Sequence, residues 1–149
     1  MGFISASGIG FAARIAGLAA SASLLLGTAS PGALELELSG LRSAKGVVQL
    51  CLTRDAERFP DCGPTAFRTV PAGQSHVRID GLPSGAYAIA LFHDENRNGR
   101  LDTLVGIPRE GFGFSRNPPV RFGAPKFNAA RFAITSGDAE QRVDLKYLL

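Results

Sequence analysis

The stretch GLPSGAYAIALFHD, residues 81 to 94, decides the fold. Pro83 and Gly85 set a tight turn, because proline fixes φ and glycine opens conformations closed to other residues. Beyond the turn, Tyr87, Ile89 and Leu91 alternate with small Ala88 and Ala90 and then Phe92. Successive side chains on a strand point to opposite faces, so this segment is apolar on both. That pattern predicts a central strand. Working toward the N-terminus, SHVRIDGL (75–82) predicts a strand with Val77 and Ile79 on one side. KGVVQLCLT (45–53) predicts another, with Val48, Leu50 and Leu52 inward and Val47, Gln49 and Cys51 on the opposite face. ALELELSGL (33–41) places Leu34, Leu36 and Leu38 on one face, and SGLRSAKG (39–46) reads as a hairpin-like connection. Between residues 54 and 74 turn residues dominate, so a long loop is expected, with a short helical turn near Asp55 to Phe59. Toward the C-terminus, GIPREGFGFSRNPPVRFGAPKFN (106–128) carries too much Gly and Pro for a regular element. ARFAIT (130–135) and QRVDLKYLL (141–149) then alternate as strands around the hairpin loop TSGDAE. The expected fold is all-β, an antiparallel β-sandwich of about seven strands.

Composition agrees with one domain. The chain has 149 residues, 45% hydrophobic and 19% charged, with 18 Gly, nine Pro, ten Phe and no Trp. The net charge of +3 is scattered, without the basic cluster that neutralises a row of phosphates, which argues against a nucleic-acid partner. Arg14, the lone charge of the first 14 residues, ends a short n-region, Ile15 to Leu26 is apolar, and small residues follow in GTASPGA. Residues 1–32 are therefore expected to be a signal peptide with its cleavage region, cut between Ala29 and Ala33, and 33–149 a single β-sandwich domain. No Cys follows the apolar run closely enough for lipid attachment, so no stable membrane insertion is expected after cleavage. The expected location is periplasmic or secreted. In that oxidising compartment the two cysteines, Cys51 and Cys62, are expected to form a disulfide.

The turn-to-strand pattern L-P-x-G-x-Y resembles transthyretin-like or carboxypeptidase-regulatory-like β-sandwich modules. A closer resemblance covers essentially the whole mature chain. His93, Asp94, Asn96, Asn98, Gly99, Leu101 and Asp102 form an HDxNxNGxLD stretch; Gly106 to Pro108, Glu110, Gly111 and Gly113 to Ser115 form GIPxEGxGFS; Phe122, Gly123, Pro125 and Phe127 form FGxPxF. Together they are similar to the bacterial family catalogued as domain of unknown function 2141, although DTLVGIP is shorter here by one or two residues before the Gly. The resemblance implies an exported β-sandwich and assigns no reaction.

Three groups of residues invite a chemical reading. Asp94, Asn96, Asn98, Gly99 and Asp102 fall at positions 1, 3, 5, 6 and 9 of an EF-hand-type loop, where alternate oxygens converge on calcium. The Arg100 carbonyl would add a backbone ligand. Position 12 is Val105, so the usual bidentate carboxylate is missing, and Asp102, Glu95 or a folded-back Glu110 would have to supply it. The competing reading is a turn in which Asp and Asn side chains bind nearby backbone. His93, Asp94, Glu95 and Glu110 are the raw material for the alternative function, a metal-assisted hydrolase. Against it, His93 and Asp94 should point to opposite faces, and Ser84 and Ser115 lack the setting of an activated nucleophile. Phe112, Phe114, Arg116, Arg121 and Phe122 are a candidate binding surface, or else a plug of Phe side chains under an irregular flap. The expectation is an exported, non-enzymatic binding or structural domain with an envelope or extracellular partner and no cofactor except a weakly held calcium.

Overall fold

The computed structural model describes residues 30–63 and 67–149; the expected leader up to Ala29 lies outside the described residues. Two sheets face each other. In the first, β1 (Gly32–Ser39) lies between β4 (His76–Leu82), antiparallel to it, and β10 (Asp138–Asp144), parallel to it. The second runs in the order β3 (Phe67–Pro71), β2 (Val47–Thr53), β5 (Gly85–Asp94), β8 (Phe112–Phe114), and β9 (Phe132–Ile134) pairs with the start of β5. A small hairpin of β6 (Thr103–Leu104) and β7 (Ile107–Pro108) and a single helical turn, α1 (Phe127–Ala130), complete the described elements. The fold is the all-β sandwich expected.

The alternation read from the sequence produces two cores. Leu34, Leu36 and Leu38 of β1, with Ile79 and Val143, meet Val48, Leu50, Tyr87, Ile89 and Leu91 of the second sheet. Each such side chain removed from water contributes about 1.5–3 kcal/mol, before the cost of ordering it. The other face of the second sheet carries Cys51, Ala88, Ala90, Phe92, Phe112 and Phe114, and this face is covered too. Phe59 and Cys62 of the 54–63 segment and Phe127 and Ala130 of α1 close over it. Phe59 meets Phe114 and Phe127 edge to face, with ring centroids 6.0 and 5.9 Å apart. Burial on both faces is why β5 is apolar at nearly every position.

Five expectations need correction. The 54–74 segment holds a strand, β3, whose apolar signal is faint because only Val70 of it is buried at the sheet edge. Its helical turn is present, with Phe59 N–H donating to the Asp55 carbonyl at 3.2 Å. SGLRSAKG is a crossing between sheets rather than a hairpin, since β1 pairs with β4 and β10 while β2 pairs with β3 and β5. Gly46 has φ 73°, and a Cβ there would lie 2.1 Å from the Asp94 carbonyl oxygen, so the crossing needs a residue without one. TSGDAE likewise carries the chain from β9 in the second sheet to β10 in the first. The sandwich is not wholly antiparallel, because β10 returns parallel to β1 over Ala33↔Asp138 to Ser39↔Asp144. Finally, the Gly-rich segment contains β7, β8 and the start of α1. In β8, Gly113 faces inward against Val143, which lets Phe112 and Phe114 both face the second core.

Cys51 of β2 is bonded to Cys62, their Cα atoms 5.7 Å apart and their sequence separation 11. The bond ties the covering 54–63 segment to the sheet beneath it. Loop closure of this length is worth about 2–3 kcal/mol. The doubly substituted Cys51→Ala, Cys62→Ala protein should lose that amount in urea denaturation. Two titratable thiols in unfolded, unreduced protein from the periplasm would refute the bridge.

Candidate functional site

Strand β5 ends in two polar residues, and the pleat sends them in opposite directions. His93 follows Tyr87, Ile89 and Leu91 inward and is fully buried. Its Nε2 lies 2.6 Å from the Lys45 carbonyl oxygen, which only accepts, so Nε2 carries the proton. In the neutral ring Nδ1 then accepts from the Tyr147 hydroxyl at 2.7 Å. That hydroxyl also accepts from the Arg42 backbone N–H at 3.2 Å, and the Arg42 guanidinium sits 4.5 Å from the Tyr147 ring centroid. Burial raises the Tyr147 pKa above its ordinary value. His93 joins three segments of chain and leaves no ring nitrogen free.

Asp94 faces the other way and is equally buried. Its carboxylate accepts from Asn98 N–H at 2.9 Å, Gly99 N–H at 2.8 Å and the Gln49 side-chain amide at 3.2 Å. A buried carboxylate is tolerated when its oxygens are met by donors in this way. The turn this enforces carries positive φ at Arg97 (60°) and Gly99 (76°). Asn96 and Asn98 repeat the motif: their side-chain oxygens accept from Asn98 N–H at 3.1 Å and Arg100 N–H at 3.0 Å, while their amide nitrogens donate to Asp102 at 2.7 and 2.8 Å. The donation from Asn98, then that from Asn96, holds the Asp102 carboxyl below its ordinary pKa, against an opposing effect of desolvation.

Glu110 does fold back onto this loop. Its two oxygens accept from the Glu95 N–H and the Asp102 N–H, both at 3.0 Å, so one buried carboxylate brackets both ends of the turn. Sequence reading offered Glu110 only as a metal ligand or a catalytic acid; the available cue to a structural role was an isolated acid immediately before an apolar strand. Glu95 itself points outward to Arg42 and Ser43, and the Arg42 hydrogen bond lowers its pKa. Asp94, Asn96, Asn98 and Asp102 are thus brought together with Arg100, and their side-chain oxygens are engaged by the loop's own donors or by Gln49. Among the described residues no group of three His, Cys, Asp or Glu side chains has metal-binding placement.

The open space lies beside this loop. A cavity of about 680 Å³ is floored by Ala90, Phe92, Phe112 and Phe114 and walled by Pro60, Leu101, Ile107, Pro108, Val120 and Ala124. Arg100, Arg121 and Asp61 supply its charged lining. Of the surface expected from sequence, Phe112 and Phe114 are buried floor, Arg121 lines the cavity, and Phe122, beside it, is fully exposed. Arg116 does not line the cavity; its guanidinium donates to the Arg131 carbonyl at 3.3 Å. His93, Asp94, Glu95, Glu110 and Ser115 do not line it either. Ser115 is fully buried, accepting from Ile89 N–H at 2.9 Å and donating to the Ala130 carbonyl, which fastens α1 to β5. The candidate hydrolytic groups and the cavity are separate features.

A family model described as an uncharacterized protein conserved in bacteria, DUF2141, matches residues 36–142. No curated protein and no solved structure matches the chain.

The bracketing role of Glu110 has a measurable consequence. Glu110→Gln replaces one acceptor oxygen by an amide group that faces a backbone N–H, and leaving a buried donor unmet costs about 1–3 kcal/mol. Urea denaturation should show that loss, whereas Glu95→Gln, at an exposed ion pair, should cost under about 1 kcal/mol. Equal and small effects at both positions would remove the bracket.

Proposed function

The chain belongs to the DUF2141 family, and from that premise we propose that it is an exported, non-enzymatic domain that holds a small apolar ligand or the apolar part of an envelope component. The observation that carries this reading is the cavity over the outer face of β5 and β8. At about 680 Å³ it falls within the range of about 300–1,000 Å³ typical of small-molecule sites, and its lining is predominantly apolar. The residues with acid-base character near it are engaged in holding backbone, so the non-enzymatic reading is preferred over the metal-assisted hydrolase. Export is favoured by the leader pattern of Arg14 followed by an apolar run and by the disulfide, a bond typical of oxidising compartments.

The test is binding of a neutral apolar fluorophore, N-phenyl-1-naphthylamine, to protein taken from the periplasmic fraction. Intact mass of that protein should place its first residue between Ser30 and Leu34. One fluorophore per chain is expected, and Ala124→Trp, which fills the cavity from its exposed rim, should weaken binding about tenfold or more. Saturable binding untouched by Ala124→Trp would move the site elsewhere, and no binding to folded protein would sink the reading.

Calcium at the Asn-rich loop is a second, smaller part of the proposal, favoured by the convergence of Asp94, Asn96, Asn98 and Asp102. It requires the Asn96 and Asn98 side chains to turn their oxygens toward Asp102, and Asp94 to exchange one of its donors for the ion. With the twelfth-position carboxylate absent, the expected Kd is about 0.1–1 mM. Calcium at ten times Kd should add about 1.4 kcal/mol of stability, read as a thermal shift that Asp94→Ala abolishes. Equal shifts with magnesium, or an unchanged response in Asp94→Ala, would leave the loop as a turn.

A further inference from the structure

We propose that the occupant of the cavity is a single anionic amphiphile taken up as a monomer, its hydrocarbon chain on the phenylalanine floor and its charged head at Arg100 and Arg121. This rests on the reading of the cavity as a ligand site and adds the chemistry of the ligand. The floor argues for a hydrocarbon body. Phe92, Phe112 and Phe114 are 7–9% exposed, and among the described residues no buried side-chain nitrogen or oxygen lacks a partner. A polar body would lose its hydration on entry and find no free group to replace it.

The rim argues for a negative head. The charged residues lining the cavity are Asp61, Arg100 and Arg121. Asp61 accepts from the Gly63 N–H at 2.9 Å. Arg100 has an exposed contact with Asp102 at 3.7 Å, a pairing that competes weakly for it. Arg121 makes no hydrogen bond or ion pair with another described residue. Two exposed arginines therefore line the cavity from two different segments, the Asn-rich loop and the flap, and a guanidinium can present parallel donors to a carboxylate. Ile107 and Leu148, which also line the cavity, expose apolar surface. An apolar floor with two arginines against one aspartate in its charged lining matches an apolar body carrying a negative head. The cavity's volume of about 680 Å³ is that of one small molecule, which favours a monomer over a bilayer surface.

The experiment is displacement of N-phenyl-1-naphthylamine by octanoate, decanoate and decanol, each below its aggregation limit, with vesicle co-sedimentation alongside. Decanoate should bind more tightly than octanoate by about fourfold per methylene and more tightly than decanol. In the Arg100→Gln, Arg121→Gln protein, decanoate should weaken about threefold to tenfold and decanol should stay within twofold. Circular dichroism of the variant checks that its fold is kept. Decanol and decanoate binding alike in the parent would overturn the head-group assignment and leave the cavity reading standing, because the neutral fluorophore would still bind. Failure of the fluorophore and all three amphiphiles would overturn both. Co-sedimentation with anionic vesicles without displacement by monomers would overturn uptake of a single molecule in favour of a membrane surface.

Discussion

Strand β5 is buried on both faces, and that double burial organises the rest of the molecule. Its inward side chains, Tyr87, Ile89 and Leu91, complete the inter-sheet core with Leu34 and Leu36 across from them. Its outward ones, Ala88, Ala90 and Phe92, are apolar as well and need a second cover. The chain supplies one from irregular segments, which are held to the sheet by particular bonds: Cys62 to Cys51, and α1 through Ser115 to the β5 backbone. A cover made of loops does not fit a sheet as closely as another sheet does. The cavity is the part of the outer face that the loops leave open.

The same pleat separates two chemistries at the end of the strand. His93, on the inner face, becomes a junction among Lys45, Tyr147 and the β5 backbone; Asp94, on the outer face, becomes the anchor of the Asn-rich turn. A histidine next to a carboxylate in sequence is here a pair divided by the sheet. Glu110 then closes the turn from the far side, so the loop's path is set by two buried carboxylates meeting backbone N–H groups. Gly111, the next residue, would bring a Cβ to 2.3 Å from the Tyr147 ring, which explains why the chain passes this point on a glycine.

Where the alternation is strong, the sequence is readable: β1, β2, β4 and β5 fall where Leu34 to Leu38, Val48 to Leu52, Val77 to Ile79 and Tyr87 to Leu91 place them. Strand β3 escaped because an edge strand with one buried residue has little period to read. β8 escaped because Phe-Gly-Phe is short and its glycine lies against Val143. Pairing was less legible than strand position. Gly-rich connections serve equally for a hairpin and for a crossing between sheets, and only the other strands' demands decide which. The Asn-rich loop was legible as two alternatives, since an Asx turn and a calcium loop ask for the same side-chain oxygens at the same spacing. The cavity was not legible at all, because it follows from how segments 54–63 and 118–130 lie across the sheet.

This division bears on what kind of protein the fold can be. Hydrolytic chemistry needs an acid or base, or a metal it can hold, to face the same space as the substrate. Here His93, Asp94, Glu110 and Ser115 have their polar atoms occupied by backbone groups and, for His93 and Asp94, also by the Tyr147 hydroxyl and the Gln49 amide, and the space beside them is lined mainly by carbon. Rigid polar junctions at the strand end and an apolar hollow next to them are complementary features: the first fixes the loop that forms one wall of the second. Leu101, which helps to wall the cavity, lies immediately before Asp102, whose N–H donates to Glu110 and whose carboxylate accepts from both asparagines. The polar network therefore acts on the cavity by positioning its wall, while the phenylalanines of β5 and β8 form its floor.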